Sequence, residues 1–90
     1  MELNKHLRLE LNQFLINCLV KTMDDEDINS NQDFAIMGLD SISVFDFTAQ
    51  IKEAIPEIPL TIFLECKNIK ELQNYLLNNH EEELHSFFKQ

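Results

Sequence analysis

Apolar side chains recur at helical spacing through the first twenty residues, and this pattern constrains the fold more than any other feature of the chain. Steps of three, four and one residue place them in one wide stripe on a single helix face. The stripe predicts a first helix from Leu3 to about Val20, with Cys18 as a small buried apolar residue rather than a reactive thiol. Its members are Leu3, Leu7, Leu11, Phe14, Leu15, Cys18 and Leu19.

Residues that form tight turns are scarce, with one glycine and two prolines in 90 residues. An all-β sandwich needs many such turns, so the scarcity favours helices joined by polar loops. A chain of this length fits one domain. We therefore expect an all-α single domain over residues 1–90, with a core over about residues 3–79 and an acidic C-terminal extension over residues 80–90.

The segment from Lys21 to Asp40 is polar and rich in acids, and it predicts a long first loop. Ile28 and Phe34 are its candidates for contact with the helices. The segment ends near Gly38, the only glycine, which predicts a tight turn that needs a positive φ or a close backbone approach.

The remaining helices are bounded by proline and by a capping signal. A second helix should run from Ser41 to about Ile55, before Pro56. A short helical turn is expected over residues 61–66. Asn68 followed by Glu71 resembles a capping box and predicts a further helix from residue 69. Its expected inner stripe consists of Ile69, Leu72, Tyr75 and Leu76, and Leu84 and Phe87 remain in phase with it, so the pattern is compatible with a helix that continues past the acids at 81–83.

The net charge of −9, from 16 acidic and 7 basic residues, excludes nucleic acid and anionic membranes as expected partners. Cys18 and Cys66 are too few for a disulfide framework and indicate a reducing compartment. The first residues lack the design of a signal peptide, and no apolar run reaches membrane length. We therefore expect a cytoplasmic protein.

The acidic loop invites a calcium interpretation, with Asp25, Asp27, Asn29 and Asp33 at ligand positions. The glycine that such a loop needs is Ser30, and its bidentate glutamate is Ile36. A solvated loop therefore fits better, and no metal site is expected. The sequence also shows no catalytic set, and a small helical core has little room for a closed pocket, so we expect no enzyme.

The predicted second helix carries apolar residues on two opposite faces. The ordinary core face contains Val44, Phe47, Thr48, Ile51 and Ile55. The opposite face holds Ile42, Phe45 and Ala49 beside the acids Asp46 and Glu53. An aligned apolar strip that points away from the core predicts a docking face for a partner, and scattered exposed apolar residues are the plainer alternative.

Ser41 opens this helix, where backbone N–H groups and the helix dipole favour an anion such as a phosphate ester. Helix capping by Asp40 or Ser41 is the commoner use of such residues. From the residues alone, capping is the better interpretation.

The string Gly38-Leu39-Asp40-Ser41-Ile42 resembles the phosphopantetheine attachment motif of carrier proteins, and the resemblance runs from about Leu7 to Leu77. It implies a four-helix bundle of three long helices and one short one, with a long first loop. It also implies that 4′-phosphopantetheine from coenzyme A is attached covalently to Ser41, and that its thiol carries an acyl group as a thioester.

The segment Thr61–Glu65, followed by Asn68-Ile69 and Glu71-Leu72, is similar to acyl carrier domains of bacterial modular polyketide synthases whose acyltransferase acts in trans. The resemblance thus implies a carrier of polyketide intermediates. A peptidyl or fatty-acid-type carrier and, from a different class, an unmodified acidic helical adaptor remain alternatives. Met1 and the compact ends suggest a discrete carrier, although a domain excised from a large synthase would look similar.

The partners implied by the resemblance are a phosphopantetheinyl transferase, a ketosynthase, an acyltransferase and other biosynthetic enzymes, met by a monomeric carrier. The residues assigned to partner contact are Leu39, Asp40, Ile42, Phe45, Asp46 and Ala49. The roles of Phe87 and Phe88 stay open between packing on the domain, association and exposure to solvent.

Overall fold

The computed structural model of the chain describes the backbone of residues 2–88 and the side chains of residues 5–88, so the predicted place of Leu3 in the stripe lies outside the described side chains. Within residues 2–88 the ordered elements are all helices, which confirms the all-α prediction. They are α1 (Glu2–Met23), α2 (Phe34–Met37), α3 (Ser41–Ile51), α4 (Ile62–Glu65), α5 (Ile69–Asn79) and α6 (Glu81–Phe88). The three long helices and the short α4 match the predicted plan, whereas α2 and α6 are additional segments.

The apolar stripe of α1 lies against α3, α5 and α6. Its buried members are Leu7, Leu11, Leu15, Cys18 and Leu19, as the spacing predicted. Burial raises the pKa of the Cys18 thiol to about 11. The positive charge of Lys21 opposes this rise, and the negative charges of Glu53 and Asp46 add to it. The thiol is therefore protonated at neutral pH, in line with its predicted role as a small apolar residue.

Helix α3 ends at Ile51, four residues before the predicted end at Ile55. The helix ends in a tighter 3₁₀-type turn, in which Ala54 N donates to Ile51 O at 2.9 Å in an i→i+3 bond. Such turns are frequent at the ends of α-helices. Pro56 then keeps the preceding residue out of the helical region. Ile55 is fully buried all the same, so the predicted apolar face extends beyond the helix itself.

The long first loop is held at its far end by aromatic packing and backbone hydrogen bonds. Phe34 is buried, and its ring meets those of Phe47 and Phe63 at centroid distances of 6.0 and 5.6 Å. The N–H of Phe34 donates to Lys67 O at 2.7 Å. Ile28 also packs against the core, so both predicted anchors of the loop are confirmed. These contacts order α2 inside a segment that was predicted to be loop.

Half of the predicted capping box of α5 has the expected geometry. The Asn68 side chain accepts from Glu71 N at 2.8 Å, as the N-cap residue should. The Glu71 carboxylate accepts from Lys67 N at 2.8 Å, one residue before the expected N–H of Asn68. Inside the helix, buried Gln73 donates to the carbonyl oxygen of Arg8 at 2.6 Å and so ties α5 to α1.

The chain breaks between α5 and α6 at His80, whose φ of −135° lies outside the helical region. The predicted inner stripe of α5 is buried at Ile69, Leu72 and Leu76 and half-buried at Tyr75. The glutamates at 81–83 occupy the first turn of α6, where the helix dipole favours negative charge, so a new helix is better placed there than a continued α5.

Helix α6 packs on α1 and α5 and settles the question left open for the terminal aromatics. Leu84 is fully buried. The ring of Phe14 on α1 meets Phe87 at 5.3 Å and Phe88 at 5.7 Å, both edge-on. These edge-to-face pairs have the geometry that aromatic rings favour, and they fix α6 on the body of the helices.

Candidate functional site

The turn before α3 is built on Gly38, whose φ of +93° places it in the left-handed region. Its N–H donates to Ala35 O at 3.1 Å, and Leu39 N donates to Phe34 O at 3.0 Å, so the two bonds close the end of α2. A Cβ on this residue would meet no atom within 4 Å. The backbone conformation, rather than lack of space, therefore requires glycine, as the sequence predicted.

Asp40 caps the N-terminus of α3. Its Oδ1 accepts from Ser43 N at 2.9 Å, while its own carbonyl oxygen accepts from Val44 N at 2.8 Å. The pKa of Asp40 is lowered, first by the hydrogen bond from the backbone N–H of Ser43. The capping role that the sequence left open between Asp40 and Ser41 therefore belongs to Asp40.

Ser41 is the first residue of α3, and its side chain is exposed. Its hydroxyl makes no hydrogen bond to any residue that the structure describes. The residue is thus held in place by the turn on one side and the helix on the other, with its oxygen open to solvent. Such a hydroxyl is accessible for covalent modification.

The two faces of α3 have the exposure that the spacing predicted. Ile42 is 80% exposed and Phe45 is 65% exposed, and Ala49 is exposed beside them. On the opposite face Phe47 and Ile51 are fully buried. We call Ile42, Phe45 and Ala49, which the sequence predicts to contact a partner, the docking strip. It begins one residue after Ser41 and runs along most of α3, so its first residue, Ile42, lies at the same end of the helix as the hydroxyl.

Asp46 lies on the edge of the docking strip nearest to α1, and the structure adds two neighbours that sequence reasoning missed. Thr22 Oγ1 donates to Asp46 Oδ2 at 3.0 Å, and Gln50 Nε2 donates to Thr22 Oγ1 at 2.7 Å. Gln50 stands four residues after Asp46 on the same helix face, which is a weak signal in the sequence. Thr22 is 24 residues away from Asp46, and no sequence pattern indicates the contact.

An open groove of about 340 Å³ lies beside the start of α3. Among the residues that line it are Phe34, Leu39, Val44, Phe63, Cys66 and Lys67. Leu39, predicted to contact a partner, is half-buried at this groove. Burial also raises the pKa of the Cys66 thiol, so its sulfur contributes an apolar, protonated surface.

The acidic surface is not neutralised by the chain's own lysines and arginines. Across the described side chains, each ion pair within 4 Å joins a histidine to a glutamate, and none involves lysine or arginine. Negative potential of this kind attracts basic surfaces and speeds encounter with them.

The loop that invited a calcium interpretation uses its polar side chains on its own backbone. Asp25 Oδ1 accepts from Asp27 N at 2.9 Å, and Asn29 Oδ1 accepts from Asn31 N at 2.9 Å. Such local bonds are typical of a structured polar turn. Over residues 5–88 the structure brings together no group of three or more potential metal-binding side chains.

None of the helices over residues 2–88 combines the length and the apolar character that crossing a membrane requires.

Comparison with known proteins places this site in a family. The sequence model of the family described as "Phosphopantetheine attachment site" matches residues 13–76. The chain is also 35% identical over 74 residues to polyketide synthase PksR of Bacillus subtilis (strain 168), a match that covers 80% of this chain and 3% of that synthase. No solved structure matches the chain.

The family match takes in the Gly38 turn, Ser41 and the docking strip, together with the second half of α1 and most of α5. Such domains interact with biosynthetic enzymes and are not catalysts themselves. The chain belongs to the phosphopantetheine attachment family, whose members are non-catalytic carrier domains with a covalently attached 4′-phosphopantetheine.

Proposed function

We propose that this carrier domain holds polyketide intermediates on a phosphopantetheine arm attached to Ser41 and presents them to partner enzymes. The similarity to a 74-residue stretch of a polyketide synthase supports the choice of polyketides. The chain spans only 3% of the length of that synthase, so the comparison bears on the carrier segment and not on the rest of the assembly.

The observation that carries the proposal is that Asp40 caps α3 while the hydroxyl of Ser41 stays exposed. Because Asp40 supplies the cap, the hydroxyl of Ser41 is not needed to close the helix. It is exposed at the first position of α3, where a transferase can reach it. The residues present therefore fit a covalently attached phosphopantetheine.

When bound, the group supplies a flexible arm whose terminal thiol holds an acyl chain as a thioester. The chain's own residues anchor that arm and leave it room. The carboxylate of Asp40 already occupies the cap of α3, so a phosphodiester on Ser41 would have a like charge nearby and would not be needed to close the helix. Leu39 and Val44, which flank Ser41 in sequence, offer the apolar wall of the nearby groove.

The docking strip and the unpaired acids supply a surface for brief encounters. A carrier must bind a phosphopantetheinyl transferase, a ketosynthase, an acyltransferase and other enzymes in turn, so each complex has to be weak. A small apolar strip of Ile42, Phe45 and Ala49 limits affinity, while Asp46 and other carboxylates steer basic partners toward it. Leu39 and Asp40 border the same end of the strip.

We also propose that residues 1–90 form one carrier domain, monomeric and cytoplasmic. The contacts of α6 with α1 and α5 support including the C-terminal extension in the domain. Both cysteines are free and buried, which fits a reducing compartment.

The alternatives, an unmodified adaptor and a peptidyl or fatty-acid-type carrier, differ in whether Ser41 is modified and in the acyl group that is attached through it. An unmodified adaptor would use the docking strip and need Ser41 only as a cap, a task that Asp40 performs here. A peptidyl or fatty-acid-type carrier would share the attachment site and differ in the acyl group it accepts.

The test of the function has two stages, both read by intact mass. The chain is first incubated with coenzyme A and a broad-specificity phosphopantetheinyl transferase, and we expect the gain of one phosphopantetheine group. The modified chain is then offered to a polyketide acyltransferase with malonyl-coenzyme A and, separately, to an amino-acid-activating enzyme with ATP. Malonyl loading supports an acyl carrier of the polyketide or fatty-acid type, loading only with an amino acid replaces it by a peptidyl carrier, and no first-stage gain in a folded chain favours the adaptor.

A further inference from the structure

The carboxylate of Asp46 is tied to the end of α1 by a relay of hydrogen bonds. Thr22 Oγ1 donates to Asp46 Oδ2 at 3.0 Å and accepts from Gln50 Nε2 at 2.7 Å. Gln50 Nε2 also donates to the carbonyl oxygen of Cys18 at 3.2 Å and, in a longer bond of 3.4 Å, to Asp46 Oδ2 itself. A hydroxyl that accepts one bond while donating another is polarised by the first, so the two bonds strengthen each other.

The relay leaves one side of the Asp46 carboxylate open. The side chain is exposed, and Oδ1 has no hydrogen-bond partner among the residues that the structure describes. Ile42, Asp46 and Gln50 follow one another at intervals of four residues and so form one row along α3. Asp46 therefore stands between the docking strip and the contact with α1.

We propose that Thr22 is a positioning residue for partner recognition, because its hydroxyl holds Oδ2 of Asp46 and leaves Oδ1 facing a cationic side chain of the partner enzyme. The inference rests on the carrier function proposed above. A free aspartate samples several rotamers, and a partner that binds it must immobilise it. The bond from Thr22 removes much of that disorder before the partner arrives.

The same geometry indicates the chemistry of the partner group. A bidentate contact with arginine needs both carboxylate oxygens in a fork arrangement. Since Oδ2 already accepts from Thr22 Oγ1 and, at 3.4 Å, from Gln50 Nε2, both of its lone pairs are engaged, and a single N–H contact to Oδ1 fits better. The ammonium group of a lysine, which binds as a point charge, is the expected partner.

The test is the steady-state kinetics of phosphopantetheine transfer to the unmodified carrier, with coenzyme A and a phosphopantetheinyl transferase. Thr22→Val keeps the shape of the side chain and removes the hydroxyl. We expect KM for the carrier to rise about three- to tenfold with kcat within about twofold, the range that one net hydrogen bond produces. Thr22→Ser, which keeps the hydroxyl, should restore KM.

Matched variants separate positioning from general stability. Asn17→Ala removes the exposed bond between Gln13 and Asn17, which lies within α1 and does not reach α3, and should leave KM unchanged. Gln50→Leu removes the bond to Thr22 Oγ1 and the longer bond to Asp46 Oδ2, and it should also raise KM, which gives a second variant if Thr22→Val does not fold. Circular dichroism and the thermal midpoint check the fold of each variant.

A double-mutant cycle decides whether Thr22 acts through Asp46. In an Asp46→Ala background, Thr22→Val should cause no further rise in KM. An equal rise in both backgrounds, or no rise in the wild-type background, would overturn the positioning role. If the wild-type chain is modified normally and Thr22→Val gives the same KM, only this inference is overturned. If a folded wild-type chain takes up no phosphopantetheine, the proposed function is overturned as well.

Discussion

The carboxylate of Asp40 accepts a hydrogen bond from the backbone N–H of Ser43 at 2.9 Å, and this bond caps α3 over the turn that contains the exposed Ser41. The cap fixes the backbone on both sides of the serine without using its hydroxyl. A modification at Ser41 can therefore be made without loss of the helix cap.

The cap predicts a specific pH dependence. Since the pKa of Asp40 is lowered in the folded chain below its ordinary value of 3.8, its contribution to stability is complete above that value and is lost as the pH falls through the lowered pKa. The amide resonance of Ser43 should follow this titration in NMR spectra. The same resonance should not titrate in this range in Asp40→Asn, which keeps a capping oxygen; a midpoint at or above the ordinary value in the native chain would contradict the cap.

The two phenylalanines of α3 provide a matched pair for the docking strip. Phe45→Glu changes an exposed side chain and should alter the free energy of unfolding by no more than about 0.5 kcal/mol, while turnover by partner enzymes weakens. Phe47→Ala empties a fully buried site and should cost about 3–5 kcal/mol. Urea unfolding and carrier kinetics measure both effects, and a large loss of stability in Phe45→Glu would show that this residue belongs to the core.

Gly38 should tolerate added volume but not the loss of its conformation. Gly38→Ala meets no atom, yet it places an L-residue at a φ of +93°, and we expect a loss of about 1–2 kcal/mol in the free energy of unfolding. Gly38→Asn should lose less, because asparagine enters the left-handed region more readily. Urea denaturation compares the two, and an alanine variant as stable as the native chain would contradict the argument from conformation.

The place of α6 in the core is tested by two leucines of opposite exposure. Leu84 is fully buried between α6 and its neighbours, so Leu84→Ala should lower the free energy of unfolding by about 2–5 kcal/mol. Leu64 on α4 is highly exposed, and Leu64→Ala should change it by no more than about 0.5 kcal/mol. Equal effects of the two substitutions would mean that α6 does not pack as described.

The local pattern of apolar residues and turn residues was sufficient to predict much of the fold. The spacing of Leu7, Leu11 and Leu15 predicted both α1 and its buried face, because one amphipathic stripe has one way to meet a core. The conformation of Gly38 and the two faces of α3 followed from equally local rules. Each of these features depends on residues within a few positions of one another.

The features that were missed depend on contacts between distant parts of the chain. The four residues of α2 are too few to form a helix by propensity, and they are ordered by the packing of Phe34 on Phe47 and Phe63. The break at His80 separates two stripes that share one phase, so the periodicity of Leu76 and Leu84 did not reveal it. The bond from Thr22 to Asp46 has no counterpart in the sequence pattern at all.

We propose that Ser41 carries the phosphopantetheine, and locating the added group after modification tests this directly. The native chain, Ser41→Ala and Ser43→Ala are each incubated with coenzyme A and a phosphopantetheinyl transferase. The products are digested, and the mass of each peptide is measured by mass spectrometry. We expect one added group on the fragment that contains Ser41 in the native chain and in Ser43→Ala, and none in Ser41→Ala. A group that persists in Ser41→Ala, or a folded native chain that gains no mass, would contradict this proposal.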